Sequence, residues 1–380
     1  MTATMEPDTA TDLVARAAEV GAEIARHTTR HDVDGTFVTE GIDALRAAGL
    51  LAMAVPAELG GAGATLREIG AVQRELAHHC GSTALASAMH QHVTAFTAWR
   101  YRRGLPGAEA TLKRIAEEGI VLVSTGGGDY TRPRGEAVKV EGGYRVSGRK
   151  PFASQSPVGA VLSTMFVLDD PDEGKRVLNM SVPIASEGVT VLDNWDTLGM
   201  RGTGSNDVVL ENVFVPDERV LANRPYGVLD GPLQVISAIA MPIISSTYLG
   251  VAEAAYRAAC EAARAKGDDP IVARTIGKMA TRLRVASWAL DGAFAEVGDD
   301  PQPSMTNVAA VMAAKREIAE AGIEVCDLAM DVAGGAAFYR GSVIERAYRD
   351  IRAAKFHPLT PEQSLVHAGR LALGLPAEEV

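Results

Sequence analysis

The chain has 380 residues, 47% apolar and 22% charged, the composition of a folded globular protein with room for two or three domains. Its net charge of -11 repels phosphates, which argues against nucleic acid and anionic membranes as partners. The opening MTATMEPDTATD is polar and acidic and no 18-residue apolar run is read, so a signal peptide and a membrane span are not expected and a cytoplasmic location is.

Residues 1–118 read as helical. Asp12 is positioned to cap a first helix and Thr39 a second, each followed by apolar residues at helical spacing. Gly60, Gly61 and Gly63 follow a helix and not a strand, so they are no dinucleotide fingerprint. A further helix runs to Cys80. The stretch from Ser82 to Gly104 is rich in small residues and predicts a tightly packed, buried helix. Between 119 and 225 the pattern changes to short β-rich runs, roughly seven strands, with a hairpin turn at Glu141-Gly142-Gly143-Tyr144. From 226 to 380 the chain is helical again, in lengths that suit a four-helix bundle. Cys80, Cys260 and Cys326 lie in helical patterns without a CxxC pair, which predicts buried free thiols in a reducing compartment; no metal site is read.

The last third carries Gly334-Gly335, then Arg349-Asp350 with Arg352, then His357-Pro358-Leu359-Thr360. This resembles the C-terminal domain of acyl-CoA dehydrogenases, whose GG pair is followed by R-D-x-R and by I-Y-E-G-T with the catalytic Glu. Pro358 then stands at the Glu position. Earlier motifs are similar in family order: Ser124-Thr125-Gly126-Gly127-Gly128-Asp129, Gly148 to Gln155, and Leu198 to Ser205 with Val215-Pro216. The resemblance implies an α+β fold: an N-terminal helical domain (1–118), a middle β-barrel or sandwich (119–225) and a C-terminal four-helix bundle (226–380), assembled as a homotetramer around flavin. It gives Ser124 and Thr125 to the flavin's pyrimidine edge, Phe152 to its face, Ser154 to the neighbourhood of N5, and Gly334, Gly335 and Thr360 to further cofactor contacts.

Two departures bear on the cofactor. The R-x-x-F-G motif, whose Arg holds a neighbouring subunit's FAD pyrophosphate, is replaced by Ala263 to Asp269, and Asp268 and Asp269 would repel a diphosphate. The Gln three residues before the GG pair is Asp331. Both changes weaken permanent FAD binding and leave room for FMN, or for reduced flavin as a co-substrate.

A third departure bears on the reaction. Desaturating an acyl thioester needs a carboxylate for the α-proton. Pro358 cannot serve, the alternative family position falls near Ala238 to Ala240, and Asp230 and Glu253 are the nearest acids. A flavin flanked by His and Ser without that Glu is similar to the flavin monooxygenase branch of the fold, which takes reduced flavin from a separate reductase. The resemblance casts His357, Ser154 and one of His90 and His92 as the groups that stabilise the oxygen adduct and protonate the departing oxygen. His pairs two apart occupy different helix faces, so one of the two is expected at the flavin. An imidazole pKa of about 6.5 would let these groups gate protons at neutral pH. The expected activity is therefore oxygen insertion into a small organic or carrier-bound substrate. The rivals are an acyl-CoA dehydrogenase with a relocated base and an inactive relative that acts as a binding protein.

Overall fold

Entry into the fold is set by one amphipathic helix, α1 (Thr9–Asp34). The computed structural model describes residues 9–378; the first eight residues of the polar N-terminal stretch lie outside them. Helix α1 begins a turn before Asp12, which pairs with Arg16 at 2.7 Å on the helix surface and caps nothing. Helix α2 (Thr39–Ala47) likewise starts without help from Thr39. Its N-cap is Val38, whose N–H donates to Gly202 O at 3.1 Å, so a tertiary contact fixes the start. Helix α3 (Leu66–His79) opens with a capping box between Thr65 and Glu68. Helix α4 (Gly81–Tyr101) is buried on nearly every side, as its small residues predict, and α5 (Ala108–Glu118) follows.

The middle segment forms one eight-stranded sheet where roughly seven strands were expected. The strands are β1 (Leu122–Ser124), β2 (Glu136–Val140), β3 (Gly143–Ala153), β4 (Val161–Asp170), β5 (Gly174–Pro183), β6 (Val189–Val191), β7 (Asn206–Pro216) and β8 (Val220–Pro225). Their order is β6-β7-β3-β2-β4-β5-β8, with β1 beside β4. Pairing is antiparallel except for β1–β4 and β2–β4. Val140 opposite Gly143 closes the predicted β2–β3 hairpin. The run after Thr125, read as a turn, is one helical turn, α6 (Gly126–Asp129).

The C-terminal part is built on α7 (Gly231–Arg264), α8 (Pro270–Val297) and α9 (Met305–Ala333), with shorter α10 (Val343–Asp350) and α11 (Pro361–Ala372). The expectation of no long apolar run fails on α7, which is long and apolar enough to cross a membrane by composition. Its most apolar window is 94% buried within the fold, so it is the core helix that α3, α4, α8, α9 and α10 surround. Gly250 lets α3 and α7 touch backbone to backbone: an added Cβ would sit 2.3 Å from Arg74 O. The three cysteines are free, but Cys260 is half-buried where a buried thiol was predicted, because its position on α7 lies beyond the surrounded segment. Asp269 caps α8, accepting from Ile271 N at 2.8 Å, which explains one of the two unusual carboxylates.

Candidate active site

Where the sheet faces α4 and the first half of α7, the elements leave a cavity of about 570 Å³. Its wall includes Ser124, Phe152, Ser154, His92, Tyr248, His357 and Pro358, and it continues along the 195–205 loop. The volume is typical of a site for an organic ligand. Among the described residues, no Asp or Glu lines it.

The local backbone explains how Phe152 reaches this space. The β3–β7 register slips between Lys150 and Ala153, a bulge that re-aims one side chain. Phe152 there has φ +60, a conformation that a bulky residue adopts only when its surroundings enforce it. Met200 in the wall (φ +53) and Gln155 (φ +57) repeat this. Enforcement comes from below: fully buried Lys150 pairs with Asp129 at 2.9 Å and also donates to Arg134 O and Met165 O. Asp129 in turn accepts from Thr125 Oγ1 at 3.0 Å. The ring of Phe152 stays 52% exposed and Trp195 meets it edge-on at 6.2 Å, a bare aromatic surface inside a cavity. Leu198 and Phe356 on the same wall are also exposed. A flat aromatic group such as a flavin ring fits this surface, because covering it removes apolar area from water.

Ser154 adds direction. Thr203 Oγ1 donates to Met200 O at 3.0 Å, Ser205 then donates to Thr203 at 2.7 Å, and Ser154 donates to Ser205 at 2.7 Å. With its proton so used, Ser154 Oγ faces the cavity as an acceptor, suited to a ring N–H.

Of the two α4 histidines, the structure places His92 in the wall and His90 outside it. His90 Nε2–H donates to Leu51 O at 2.9 Å and its Nδ1 accepts from Leu122 N at 3.0 Å, so it ties α4 to β1. His92 donates Nδ1–H to Ala88 O at 3.1 Å, which leaves Nε2 as a free acceptor. His357 Nε2 and Tyr248 Oη share a hydrogen bond at 2.7 Å. Neutral-pH gating by an ordinary imidazole does not hold here. Burial pushes His92 and His90 down to about 4, and burial, Lys315 and His92 push His357 down to about 3. All three rings are neutral at pH 7.

Other predicted residues lie elsewhere. Thr125 is fully buried in the Asp129 network and also bonds Thr164 at 2.8 Å. Gly334 ends α9 at φ +68, and it and Gly335 are exposed, outside the cavity wall. Thr360 is exposed at the start of α11, where it forms a capping box with Gln363. Neither acid nominated as a relocated base is in the wall. Asp230 caps α7, and Glu253 is bound to Arg74 at 2.9 Å and His78 at 2.8 Å. The Arg-Asp-x-Arg run is an anchor: Arg349 binds Asp32 at 2.5 Å and Glu345 at 2.6 Å, and Asp350 Oδ1 accepts from Met200 N. Arg201 is held by Asp32 O at 2.8 Å and Asp196 at 3.0 Å, an ion-paired and structural setting.

Sequence reasoning passed over four participants. Lys150 and Asp129 both lay within the quoted motifs, and that shared origin was the available signal. Tyr248 carried none, since it sits in an apolar helical run. Lys315, buried under the His357 loop, donates to His357 O at 2.5 Å and Leu359 O at 2.6 Å, and burial pushes it down to about 8.

Two family models match the chain: "Acyl-CoA dehydrogenase, N-terminal domain" over residues 8–102 and "Acyl-CoA dehydrogenase, C-terminal domain" over residues 242–362. A putative acyl-CoA dehydrogenase of Bacillus subtilis is 29% identical, covering 90% of this chain and 92% of its own length. A probable FMNH2-dependent monooxygenase of Pseudomonas putida is 26% identical, covering 90% of each. The solved structure of KijD3 in complex with FMN and dTDP-3-amino-2,3,6-trideoxy-4-keto-3-methyl-D-glucose aligns over 100% of this chain and 97% of its own, with TM-score 0.89 and 27% identity.

Proposed function

The chain belongs to the acyl-CoA dehydrogenase superfamily, and from that premise we propose that it is a flavin-dependent monooxygenase acting on a small organic or carrier-bound substrate. One observation carries the reading: no carboxylate among the described residues lines the cavity, whose wall includes Pro358, the residue that the motif resemblance sets at the family's base position. Without a carboxylate there, α-proton abstraction from a thioester lacks the group that the family uses for it. The similarity to an FMNH2-dependent monooxygenase and to an FMN-bound structure supports the same reading.

Reduced flavin from a separate reductase, when bound here, would supply the electrons for dioxygen activation and oxygen transfer to the substrate. The chain's residues do the rest. Phe152 and Trp195 cover the ring's apolar area and exclude water. Ser154 accepts a ring N–H, and Ser124 serves the pyrimidine edge. Neutral His92 offers Nε2 as an acceptor. The Tyr248–His357 pair, with Oη and Nε2 2.7 Å apart, shares a proton that can be passed to a departing oxygen. FMN is the favoured flavin. The protein is further proposed to be cytoplasmic and to assemble as a homotetramer. Apolar side chains exposed outside the cavity, Ile271, Trp288, Phe338 and Tyr339, support assembly.

Turnover with reduced FMN and oxygen tests the activity, using amines, thioethers and phenols as a first panel. Oxygenated product is expected, and His357→Ala is expected to lower its yield at least tenfold while releasing peroxide. Oxidation of short acyl-CoAs with an artificial electron acceptor would overturn the proposal.

A further inference from the structure

Arginines that line the cavity are matched by acids, with one exception. Arg349 is held by Asp32 and Glu345, and Arg352 by Asp327 at 2.5 Å. Arg100 on α4 also lines the cavity and is only 7% exposed. Among the described residues no carboxylate lies within ion-pair distance of it. Its hydrogen bond is Nη2–H to Pro106 O at 3.1 Å, one of the five N–H donors a guanidinium carries. Burial lowers its pKa with no acid to offset the effect. A buried cation without a counter-charge is costly, and a site that keeps one has a use for it.

Arg100 shares a helix face with His92 and Phe96, at spacings of eight and four residues. That places it roughly 12 Å along the axis from His92. Val93 and Phe96 line the wall between them. Guanidinium geometry suits a carboxylate, phosphate or sulfonate taken by two parallel hydrogen bonds.

We propose that Arg100 is an anion subsite for the substrate, so that the molecule oxidised has an apolar body and an anionic group held about two turns of α4 from the reacting end. The inference rests on the monooxygenase reading for its chemistry, but its test needs neither flavin nor oxygen.

The full chain is titrated by calorimetry with 4-phenylbutyrate and with its neutral isostere 4-phenylbutanamide. Wild type is expected to bind the carboxylate at least tenfold more tightly. Arg100→Gln, which keeps a donor for Pro106 O, is expected to erase that preference while amide affinity stays within twofold. Arg100→Lys is expected to keep part of it, and it carries the test should the Gln variant fail to fold. Equal affinities in wild type, or a preference that survives Arg100→Gln, would overturn the proposal. So would a Gln variant that instead stops distinguishing FMN from riboflavin, which would assign Arg100 to the flavin's phosphate. Failure here leaves reduced-flavin turnover standing, and failure of turnover leaves an anion preference standing.

Discussion

Burial decides charge state at the level of single residues. His90, His92 and His357 have ordinary side chains, yet enclosure holds each neutral far below its usual range. Their folded pKa values lie below 6.5, so the unfolded chain binds more protons in the window from 6.5 to about 4 or 3, and acidification destabilises the fold there. Asp350, pushed up to about 6 chiefly by burial, acts in the opposite direction between 6 and 3.8. Asp230, also raised by burial, acts in the same direction as Asp350, and the three imidazoles outweigh the two carboxyls, so stability is expected to fall from pH 6.5 to 4.5. For His90 alone the shift corresponds to about 3 kcal/mol once the ring is fully charged. The urea midpoint is therefore expected to fall between pH 7 and pH 5, and His90→Gln is expected to flatten that slope. A midpoint independent of pH across this window would show that the imidazoles are not held neutral.

Among the elements, β3 shows function taking precedence over local preference. The bulge at its end turns Phe152 into the cavity at φ +60, and the Lys150–Asp129 pair holds the turn behind it. Such a backbone state costs on the order of 1–3 kcal/mol in a residue other than glycine. Phe152→Gly relieves that strain and loses only partial burial, so the unfolding free energy is expected to move by no more than about 1 kcal/mol. Flavin affinity is expected to fall about tenfold, read from the quenching of flavin fluorescence on binding. A stability loss of about 3–5 kcal/mol, the value for truncating a core Phe, would instead make Phe152 a packing residue. Helix α4 divides its tasks in the same way. One histidine ties it to the sheet, the next lines the cavity, and two turns on Arg100 lines it too.

At the scale of the whole molecule, α7 binds both ends of the chain into one core, and the cavity opens between that core and the sheet. Trp288 at 64% and Phe338 at 81% exposed are large apolar side chains left bare on the outside, which an assembly would cover. Light scattering of the purified protein is expected to give four times the 39.9 kDa chain mass. A mass of one chain at micromolar concentration would sink the assembly proposal.

Periodicity and motif order were enough to read the α+β class, the buried α4 and the β2–β3 hairpin. These follow from local spacing and residue type, which any reader of the chain can see. The cap at Thr39 was misread because a helix start is a tertiary matter when Gly202 holds Val38 in place, and Asp12 because α1 begins three residues before it. Only the folded chain could separate His90 from His92, withdraw Thr125 into the Asp129 network and leave Asp230 and Glu253 outside the cavity. Each depends on which neighbours, distant in sequence, surround a side chain, and burial by those neighbours is what sets its charge and its partners.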